Sequence, residues 1–369
     1  MGSPINPVRF RPSDLVSRCV EPSARALWPP HSHTGLGLEW CGMASEAPSV
    51  VVLLPVFNDW SSLSLLIPRV ASHLAPATSR FGILIVDDCS TREASPPPEE
   101  ATAAADWVRV VRLRRNLGHQ RAIAIGLSYI DEHVDCDAVI VMDADGEDRP
   151  EDLGPLLRRF RDERAGKIVF AERRRRTERP LFAVLYRCYQ LLHRVLTGAS
   201  VRVGNFSVVP RRQVSSLVVV SELWVHFAAA AVRSRQPLCM VGTERGRRLH
   251  GRSQMDFVSL VVHGLSAISV YSDVVYTRLI MAAAGLMAVA LAAMAAVTGV
   301  RLFTTMAVPG WATFSLGLLL IVLLQAVIFI VSLTFLMLGT RQHSTIVPLR
   351  DYGYYVDEVL PRTGGASRS

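Results

Sequence analysis

Short apolar runs alternate with helical patterns through the first two thirds of the chain. Runs of aliphatic and β-branched residues predict buried strands, and apolar residues at helical spacing between them predict helices. The predicted strands lie at 50–57, 82–86, 108–113, 138–142, 167–172, 203–209 and, as the last one, 238–243. The predicted helices that separate them lie at 61–74, 116–130 and 148–163. Such alternation is typical of α/β folds with a mostly parallel sheet and helices on both faces.

Two longer apolar runs near the C-terminus change the class of protein. Residues 280–300 and 311–338 contain no charged side chain, and a helix of about 20 apolar residues crosses a bilayer. A buried helix of this length would normally show a polar stripe, which both runs lack. They predict a transmembrane hairpin that turns at Pro309 and Gly310. The residues before it, 255–275, predict an interfacial helix.

Arginines flank this hairpin unevenly. Arg278 precedes the first run, Arg341 and Arg350 follow the second, and Arg301 lies between them. Because positive charge is retained in the cytoplasm, we expect a multi-pass protein of the cytoplasmic membrane. The large N-terminal domain and the C-terminal tail would both lie in the cytoplasm. The net charge of +8 agrees with an anionic membrane surface. We expect no nucleic-acid partner, because no nucleic-acid motif accompanies the arginines.

Composition divides the chain into five parts. Prolines and glycines make residues 1–46 an irregular tail, in which Met43 is an alternative translation start. The domain that contains the predicted strands spans 47–254, followed by the interfacial helix at 255–275, the hairpin at 276–340 and a tail at 341–369. The six cysteines are scattered without a Cys-x-x-Cys pair, so we expect neither a zinc site nor a disulfide framework.

A group of carboxylates follows the predicted strand at 138–142. Asp143, Asp145, Glu147 and Asp148 lie where that strand leaves the sheet, which is where open α/β sheets bind ligands. Carboxylate oxygens bind Mg²⁺ and similar cations, which in turn bridge to substrate phosphates. The sequence therefore predicts a divalent cation that holds a nucleotide diphosphate.

The same stretch has a purely structural interpretation. Asp148 followed three residues later by Glu151 fits a capping box at the start of the next helix. In that case the acidic residues form a solvated turn before the helix and bind no ligand.

Four motifs in order resemble the family 2 glycosyltransferases, and more narrowly the polyprenyl-phosphate glycosyltransferases related to dolichyl-phosphate mannose synthase. They are Leu54-Pro55-Val56-Phe57-Asn58-Asp59, Val86-Asp87-Asp88-Cys89-Ser90, Arg115-Asn116-Leu117-Gly118 and Asp143-Ala144-Asp145-Gly146-Glu147-Asp148-Arg149-Pro150-Glu151. The resemblance covers residues 49–341 and includes the two C-terminal membrane helices of the bacterial branch. It implies a GT-A fold, which is a Rossmann-like α/β domain, joined to a membrane hairpin.

The resemblance also implies roles for individual residues. The nucleotide base and ribose would be held by Pro55, Asp59 and Asp87 or Asp88. Asp143 and Asp145 would bind the metal and the diphosphate, and Glu147 would bind the metal as well. Arg173 would contact the phosphates, Asn205 would contact the sugar, and Arg248 and Ser253 would belong to a loop that closes on the donor. Asp148 is the best candidate if the reaction uses a base. The chain departs from the family pattern at Arg149, where proline is common, and at Gln254, where lysine is usual. The second departure removes one expected phosphate contact.

The activity that the resemblance implies is the inverting transfer of a sugar from a UDP- or GDP-sugar to a polyprenyl phosphate. Mg²⁺ or Mn²⁺ would assist, and the product would serve cell-envelope glycosylation. Bacterial relatives form tetramers, which implies a homo-oligomer.

Arg173 to Arg176 and Arg179 would guide the lipid phosphate, or form a solvated basic surface beside anionic lipid.

Other classes of function remain for comparison. One is a catalytically silent scaffold of the same fold that binds a nucleotide sugar, and another is a transferase that acts on a different membrane lipid. An oxidoreductase is excluded, because residues 50–59 contain no glycine and therefore no dinucleotide-binding fingerprint. The chain also lacks the Gln-x-x-Arg-Trp motif of processive polysaccharide synthases, which argues against a polymerase.

Overall fold

Eight strands of one sheet organise the part of the chain that the structure describes. The structure is a computed structural model, and it describes residues 47–91, 102, 104–173, 190–198, 203–250, 257–304, 310–342 and 346–362. The strands are β1 Ser49–Val56, β2 Arg80–Asp87, β3 Trp107–Leu113, β4 Ala138–Val141, β5 Ile168–Arg173, β6 Ser207–Pro210, β7 Leu238–Thr243 and β8 Val356–Arg362. The predicted irregular tail at 1–46 lies outside the described residues.

The order of the strands is β7-β5-β6-β4-β1-β2-β3-β8. β1 pairs in parallel with β2 and β4, β2 with β3, and β5 with β7. β6 runs antiparallel to β4 and β5, and β8 runs antiparallel to β3. The predicted α/β class with a mostly parallel sheet is therefore confirmed.

Helices cover both faces of this sheet. The helices of the described residues are α1 Trp60–Leu74, α2 His119–His133, α3 Leu153–Asp162, α4 Arg211–Leu217, α5 Phe227–Arg233, α6 Phe257–Ser269, α7 Ser272–Phe303, α8 Trp311–Gln342 and α9 Pro348–Asp351. Short 3₁₀ turns lie at Pro150–Asp152, Ser221–Trp224 and Tyr352–Tyr355, and residues 190–197 are helical as well.

The central strands are buried on both faces, which explains their unbroken apolar sequence. Val52 and Leu54 belong to the core that α1 and α3 cover on one face. On the other face α2 lies so close that a Cβ at Gly126 would be 2.3 Å from Leu53 Cδ1. Any larger residue would push the buried Leu53 side chain aside, so glycine suits this approach of helix to strand. Each fully buried aliphatic side chain stabilises the folded protein by about 1.5–3 kcal/mol. The packing of helices on both faces therefore fixes the positions of the strand ends.

Two strand predictions are wrong in detail. β6 begins at Ser207 rather than at Val203, so Gly204, Asn205 and Phe206 precede the strand. The strand at 238–243 is not the last one, because β8 forms in the segment predicted as a tail. β8 carries charged residues and Pro361, a composition that suits an edge strand but resembles a polar tail in the sequence.

The two predicted membrane runs form α7 and α8, which are long and apolar enough to cross a membrane. Only 11% of the most apolar window of each helix is buried, which distinguishes them from core helices of a soluble protein. The predicted interfacial helix at 255–275 is divided instead. α6 ends at Ser269, and α7 begins at Ser272. Arg233 stabilises this break by donating to Val270 O at 2.5 Å and to Asp273 Oδ1 at 2.8 Å.

Candidate functional site

The predicted site residues converge on one edge of the sheet because of the strand directions. β1, β2 and β4 are parallel, so the residues that follow them, Asp59, Asp88 and Asp143, lie at the same edge. β6 is antiparallel to β4, which places the residue before it, Asn205, at this edge too. β7 ends here and leads into the loop 244–250. The topology therefore brings together segments that are distant in the sequence.

The acidic loop, which is residues 142–149 after β4, is held in shape by hydrogen bonds within the loop. The Asp143 N–H donates to Asp148 Oδ2 at 3.0 Å, and the Glu147 N–H donates to Asp145 Oδ1 at 2.9 Å. Asp148 is 4% exposed. The capping-box alternative is not what forms here, because the helical turn begins at Pro150 without a side-chain cap. The carboxylate of Asp148 organises the loop, and that of Asp145 is 21% exposed.

The loop 244–250 lies across this acidic loop. The Gly246 N–H donates to Glu147 O at 2.8 Å, and the Leu249 N–H donates to Asp145 O at 3.0 Å. Arg248 Nη2 donates to Asp59 Oδ2 at 2.7 Å, and its Nη1 lies 3.5 Å from Asp145 Oδ2. Arg248 thus places one positive charge between two carboxylates from different strand ends. That this loop closes on a donor stays a prediction.

Glu147 has a different partner from the one expected. Its Oε2 accepts from Arg245 Nε at 3.0 Å. The carboxylate that the resemblance assigns to the metal therefore forms an ion pair with Arg245. Arg149 pairs with Glu244 at 3.0 Å, which adds a second link between the two loops. These pairs hold the loops against each other at the solvent side of the site.

Sequence reasoning missed His119 and Gln120 as members of the site. His119 Nε2 lies 3.1 Å from Asp143 Oδ1 and 2.9 Å from Asn205 Nδ2. Gln120 Nε2 donates to Asn205 Oδ1 at 3.2 Å. The only signal in the sequence was that both follow the Asn116-Leu117-Gly118 motif. Asn205 therefore lies beside the acidic loop, linked to it through His119.

The paired acids after β2 make contacts with the backbone. Asp88 accepts from the Leu117 N–H at 2.7 Å and from the Gly118 N–H at 2.8 Å. Asp87 Oδ1 accepts from the Ser90 N–H at 3.0 Å. Asp88 therefore positions the start of α2, which carries His119. Pro55 is buried within β1, and a contact of Pro55, Asp87 or Asp88 with a nucleotide stays a prediction.

Several predicted residues have no described side chain. Ser253 lies outside the described residues, as do Arg174 to Arg176 and Arg179. Arg173 is the last residue of β5, but only its backbone is described. Because β5 is antiparallel to β6, this end of β5 lies at the edge where the site is.

Burial and nearby charges shift the pKa values of two side chains in the site. Burial raises the pKa of Asp145, and the charges of Asp143 and Glu147 add to this, although the Glu147 N–H and Arg248 oppose it. Burial alone would lower the pKa of His119, but the charge and hydrogen bond of Asp143, with the charges of Asp148 and Asp145, outweigh it and raise the pKa. The raised pKa of His119 indicates a strongly negative site.

The donor atoms suit a hard divalent cation that is shared with a substrate. Among the described residues, no group of three or more His, Cys, Asp or Glu side chains has the spacing to hold a metal alone. Mg²⁺ in phosphate-transfer sites is usually bound by one or two carboxylates and completed by substrate phosphates and water. Asp143 and Asp145, whose side chains are 30% and 21% exposed, offer such a set, so the residues present fit the expected group.

Comparisons with known proteins agree with this geometry. Residues 51–213 match the family model described as glycosyl transferase family 2. These residues form a glycosyl transferase family 2 domain. Together with the mostly parallel sheet they have the GT-A fold, and α7 and α8 follow this domain as two helices of membrane-spanning length.

Individual relatives cover different parts of this chain. An undecaprenyl-phosphate 4-deoxy-4-formamido-L-arabinose transferase of Klebsiella pneumoniae is 35% identical over 109 residues, 29% of this chain and 32% of the relative. The chain thus matches about a third of that relative's length. An uncharacterized glycosyltransferase of Bacillus subtilis, YkcC, is 22% identical over 71% of this chain and 80% of its own length.

Among solved structures, a glucosyl-3-phosphoglycerate synthase from Mycobacterium tuberculosis in complex with Mn²⁺, UDP-glucose and phosphoglyceric acid is similar to this chain. It is 16% identical and covers 64% of this chain and 81% of its own, with a TM-score of 0.43. Since this score is below 0.5, the fold assignment rests on the sheet topology and the family match.

Proposed function

We propose that this protein transfers a sugar from a nucleotide sugar to a polyprenyl phosphate at the cytoplasmic face of a membrane. The observation that carries the proposal is the arrangement of Asp59, Arg248 and Asp145 at the open end of the sheet in a family 2 domain. Acidic residues and an arginine at this position suit a donor whose leaving group is a diphosphate. The donor would be a UDP- or GDP-sugar.

The segments on the C-terminal side of the hairpin support the membrane assignment. α9 and β8 come after α7 and α8, and β8 returns to pair with β3 of the same domain. If α7 and α8 both cross the bilayer, the segments before and after them lie on one side. That side also carries the site, so the donor and the phosphate of a membrane lipid meet at the same face. The arginines near the hairpin indicate that this is the cytoplasmic face.

The acceptor proposal has support in the names of the relatives, which act on undecaprenyl phosphate. A phosphate monoester is already ionised near neutral pH, with a second pKa of about 6. Its oxygen therefore attacks the anomeric carbon without a protein base, and attack opposite the leaving diphosphate inverts that carbon. The role of Asp148 would then be to hold the acidic loop through the Asp143 N–H.

The residues of the chain prepare the leaving group. Arg248 provides positive charge beside Asp145, and the loop 244–250, which lies across the acidic loop, would exclude water from this side. A bound Mg²⁺ or Mn²⁺ would offset the charge that develops on the diphosphate as the glycosidic bond breaks. Asp143 and Asp145 would hold that cation.

The direct test is sugar transfer by the purified full-length protein in detergent. The protein is incubated with polyprenyl phosphate, Mg²⁺ or Mn²⁺ and a panel of UDP- and GDP-sugars, and glycolipid is detected by mass. We expect one donor to give a product that disappears with EDTA and in the Asp145→Asn variant. Asp162→Asn, an exposed position on α3, is the matched control and should keep the activity.

Three other outcomes distinguish the alternatives. A donor that binds while no acceptor is glycosylated supports the silent scaffold. Transfer to a different membrane lipid, with polyprenyl phosphate inert, supports the other transferase and contradicts the acceptor proposed here. Turnover that survives both EDTA and Asp145→Asn contradicts the metal assignment.

A further inference from the structure

Arg233, the last residue of α5, binds the start of α7, the first helix of the membrane hairpin. Its Nη1 donates to Val270 O at 2.5 Å and to Asp273 Oδ1 at 2.8 Å, and its Nη2 donates to Asp273 Oδ2 at 3.1 Å. The guanidinium also lies over the ring of Tyr271, 5.6 Å from its centroid. Because a bidentate pair fixes direction as well as distance, α5 holds the start of α7 in one orientation.

A second arginine attaches α7 on another side. Arg278 Nη1 donates to Val195 O at 2.6 Å, which joins α7 to the helical residues 190–197. Asp273 and Arg278 are five positions apart, which is about 140° around a helix of 3.6 residues per turn. Two bonds in different directions therefore restrain the tilt of α7. The pair of Arg233 with Asp273 is the stronger one, because both partners are charged and the arginine is only 28% exposed.

The other end of α5 reaches the candidate site. The Phe227 N–H donates to Gln120 Oε1 at 2.7 Å, and Gln120 Nε2 donates to Asn205 Oδ1 at 3.2 Å. α5 spans Phe227–Arg233, which is roughly 10 Å of helix at 1.5 Å per residue. Its alanines at 228–231 are buried, so the helix is held firmly by its surroundings. One short helix therefore connects the start of α7 with Asn205.

This connection determines where the site lies relative to the bilayer. Asp273 and Arg278 precede the charge-free run at 280–300, so they lie at the membrane surface if α7 crosses the bilayer. The phosphate of a membrane lipid lies at that surface too. Because its chain confines it to the bilayer, this phosphate reaches the donor only where the site is held at a matching height and angle. A phosphate ester dissolved in water reaches the site without this constraint.

We propose that Arg233 is a positioning residue for the lipid acceptor, an inference that rests on the proposed function. It lies at the opposite end of α5 from the site, and it acts through Asp273 by holding the site over the membrane surface. Without this pair the domain that carries the site tilts on the hairpin, and the lipid phosphate no longer meets the anomeric carbon. A misplacement of about 1 Å costs about 100-fold in rate. A selective loss of transfer to acceptors in the bilayer is the signature of this role.

The experiment compares two acceptors with one protein. Purified full-length protein is reconstituted in phospholipid vesicles and given the active nucleotide sugar. Transfer is measured to a polyprenyl phosphate in the bilayer and to citronellyl phosphate, a short prenyl phosphate dissolved in the water. We expect Arg233→Gln to lower kcat/KM for the bilayer acceptor about 10-fold or more. For citronellyl phosphate, kcat/KM should change within about twofold, as for an ordinary surface substitution.

The Kd of the nucleotide sugar, measured without acceptor, should also change within about twofold in Arg233→Gln. This comparison replaces the second acceptor if the wild-type protein does not use citronellyl phosphate. Because the variant leaves the donor contacts in place, a selective effect on the bilayer acceptor separates positioning from a general loss of structure.

Two further variants test the pair itself. Asp273→Asn breaks it from the side of the hairpin, so the test does not depend on one variant that folds. The double variant should lose no more transfer than either single one, because each substitution removes the same interaction. Arg211→Gln is the matched control, since Arg211 likewise donates to a carboxylate and a backbone carbonyl of Asp131, but within the domain. It should change transfer to both acceptors by the same factor.

The outcomes separate this inference from the function on which it rests. Equal losses for both acceptors and for donor binding in Arg233→Gln contradict the inference and leave the transferase proposal intact. Full transfer to the bilayer acceptor by this variant, or losses that add in the double variant, contradict it as well. If the wild-type protein transfers no sugar to either acceptor from any donor, the proposed function and the inference are both wrong.

Discussion

The guanidinium of Arg248 donates to the carboxylate of Asp59 at 2.7 Å, although 189 positions separate the two residues. Arg248 is 22% exposed and Asp59 19% exposed, so solvent screens this pair less than a surface salt bridge. The contact joins the loop after β7 to the end of β1. Because Arg248 also lies 3.5 Å from Asp145, one side chain links three segments of the site.

We expect Arg248→Gln to lower kcat/KM for sugar transfer by about 100-fold, the loss found when one preorganised donor is removed from an active site. The variant leaves the carboxylates of Asp59 and Asp145 without their shared positive charge. Steady-state kinetics with the donor varied measures the effect. The matched control is Arg159→Gln on α3, which breaks a surface pair with Glu163 and should change kcat/KM by about twofold or less. Equal losses in both variants would remove Arg248 from the site.

Asp88 should be required for stability as well as activity. Asp88→Ala leaves the N–H groups of Leu117 and Gly118 without their acceptor, and a buried unsatisfied group costs about 1–3 kcal/mol. We therefore expect a lower Tm together with lower activity. Asp145→Asn should lower activity with little change in Tm, because asparagine keeps a side-chain oxygen that accepts from the Glu147 N–H. Thermal unfolding of both variants in the same detergent measures the difference. An unchanged Tm in Asp88→Ala would mean that Asp88 serves the ligand rather than the fold.

The elements that were predicted well from the sequence are those whose environment is uniform. β1 and β2 are buried along nearly their whole length, and their apolar runs predict their bounds to within about two residues. β8 was missed because it is an edge strand, in which Glu358 is partly exposed and pairs with Arg112 at 2.5 Å. Pairing with β3 determines the conformation of β8, and the hydrophobic pattern of β8 itself does not.

The candidate site shows the same limit. The acidic loop and Arg248 were found because motifs carry them in the sequence. His119 was missed because its role depends on a contact with Asn205, which lies beside it only through the antiparallel direction of β6. The assignment of Glu147 to the metal did not anticipate Arg245, whose position depends on how the loop 244–250 lies across the site. Contacts between loops depend on the topology and are not encoded in either loop alone.

The pairing of β8 with β3 predicts which two cysteine substitutions will form a disulfide. Val110 and Leu360 are paired across β3 and β8, and paired residues in antiparallel strands lie about 4.5–5.5 Å apart at Cα, which a disulfide can span. Val110→Cys with Leu360→Cys should form a disulfide within one chain, identified by peptide mass spectrometry. Val110→Cys with Val359→Cys is the control, because neighbouring strand residues point to opposite faces. A disulfide that forms only between two chains would mean that β8 pairs with a second copy.

Cys136 should resist alkylation in the folded protein. It is 6% exposed between α2 and β4, and burial raises the pKa of its thiol from 9.0 to about 12. At pH 9.0 the folded thiol is still neutral while an unfolded one is half ionised. Its stabilising contribution is therefore complete below this pH and is lost as the pH rises towards the folded value. Iodoacetamide followed by peptide mass spectrometry should modify the partly exposed Cys89 and Cys239 well before Cys136. Equal rates for all three thiols would contradict the predicted burial.

Gly146 controls how closely the loop 244–250 approaches the acidic loop. Its φ is +82°, and an added Cβ would lie 2.4 Å from Leu249 Cγ. Gly146→Ala must therefore strain the backbone, which costs about 1 kcal/mol or more, and move Leu249 away. Because Leu249 follows Arg248, we expect the ion pair with Asp59 to weaken and kcat/KM to fall about 10-fold, part of the loss expected for Arg248→Gln.

The matched control for this substitution is Gly154→Ala. Gly154 lies in the first turn of α3, where an added Cβ meets only Arg158 Nη1 at 3.5 Å. Alanine at such a helical position stabilises by about 0.4–1 kcal/mol, mainly by restricting the unfolded chain. Thermal unfolding should therefore show opposite shifts for the two glycines, and only Gly146→Ala should lower transfer. If both substitutions leave transfer unchanged, closure of the loop 244–250 onto Asp145 is not needed for the reaction, and Arg248 must act from a different position.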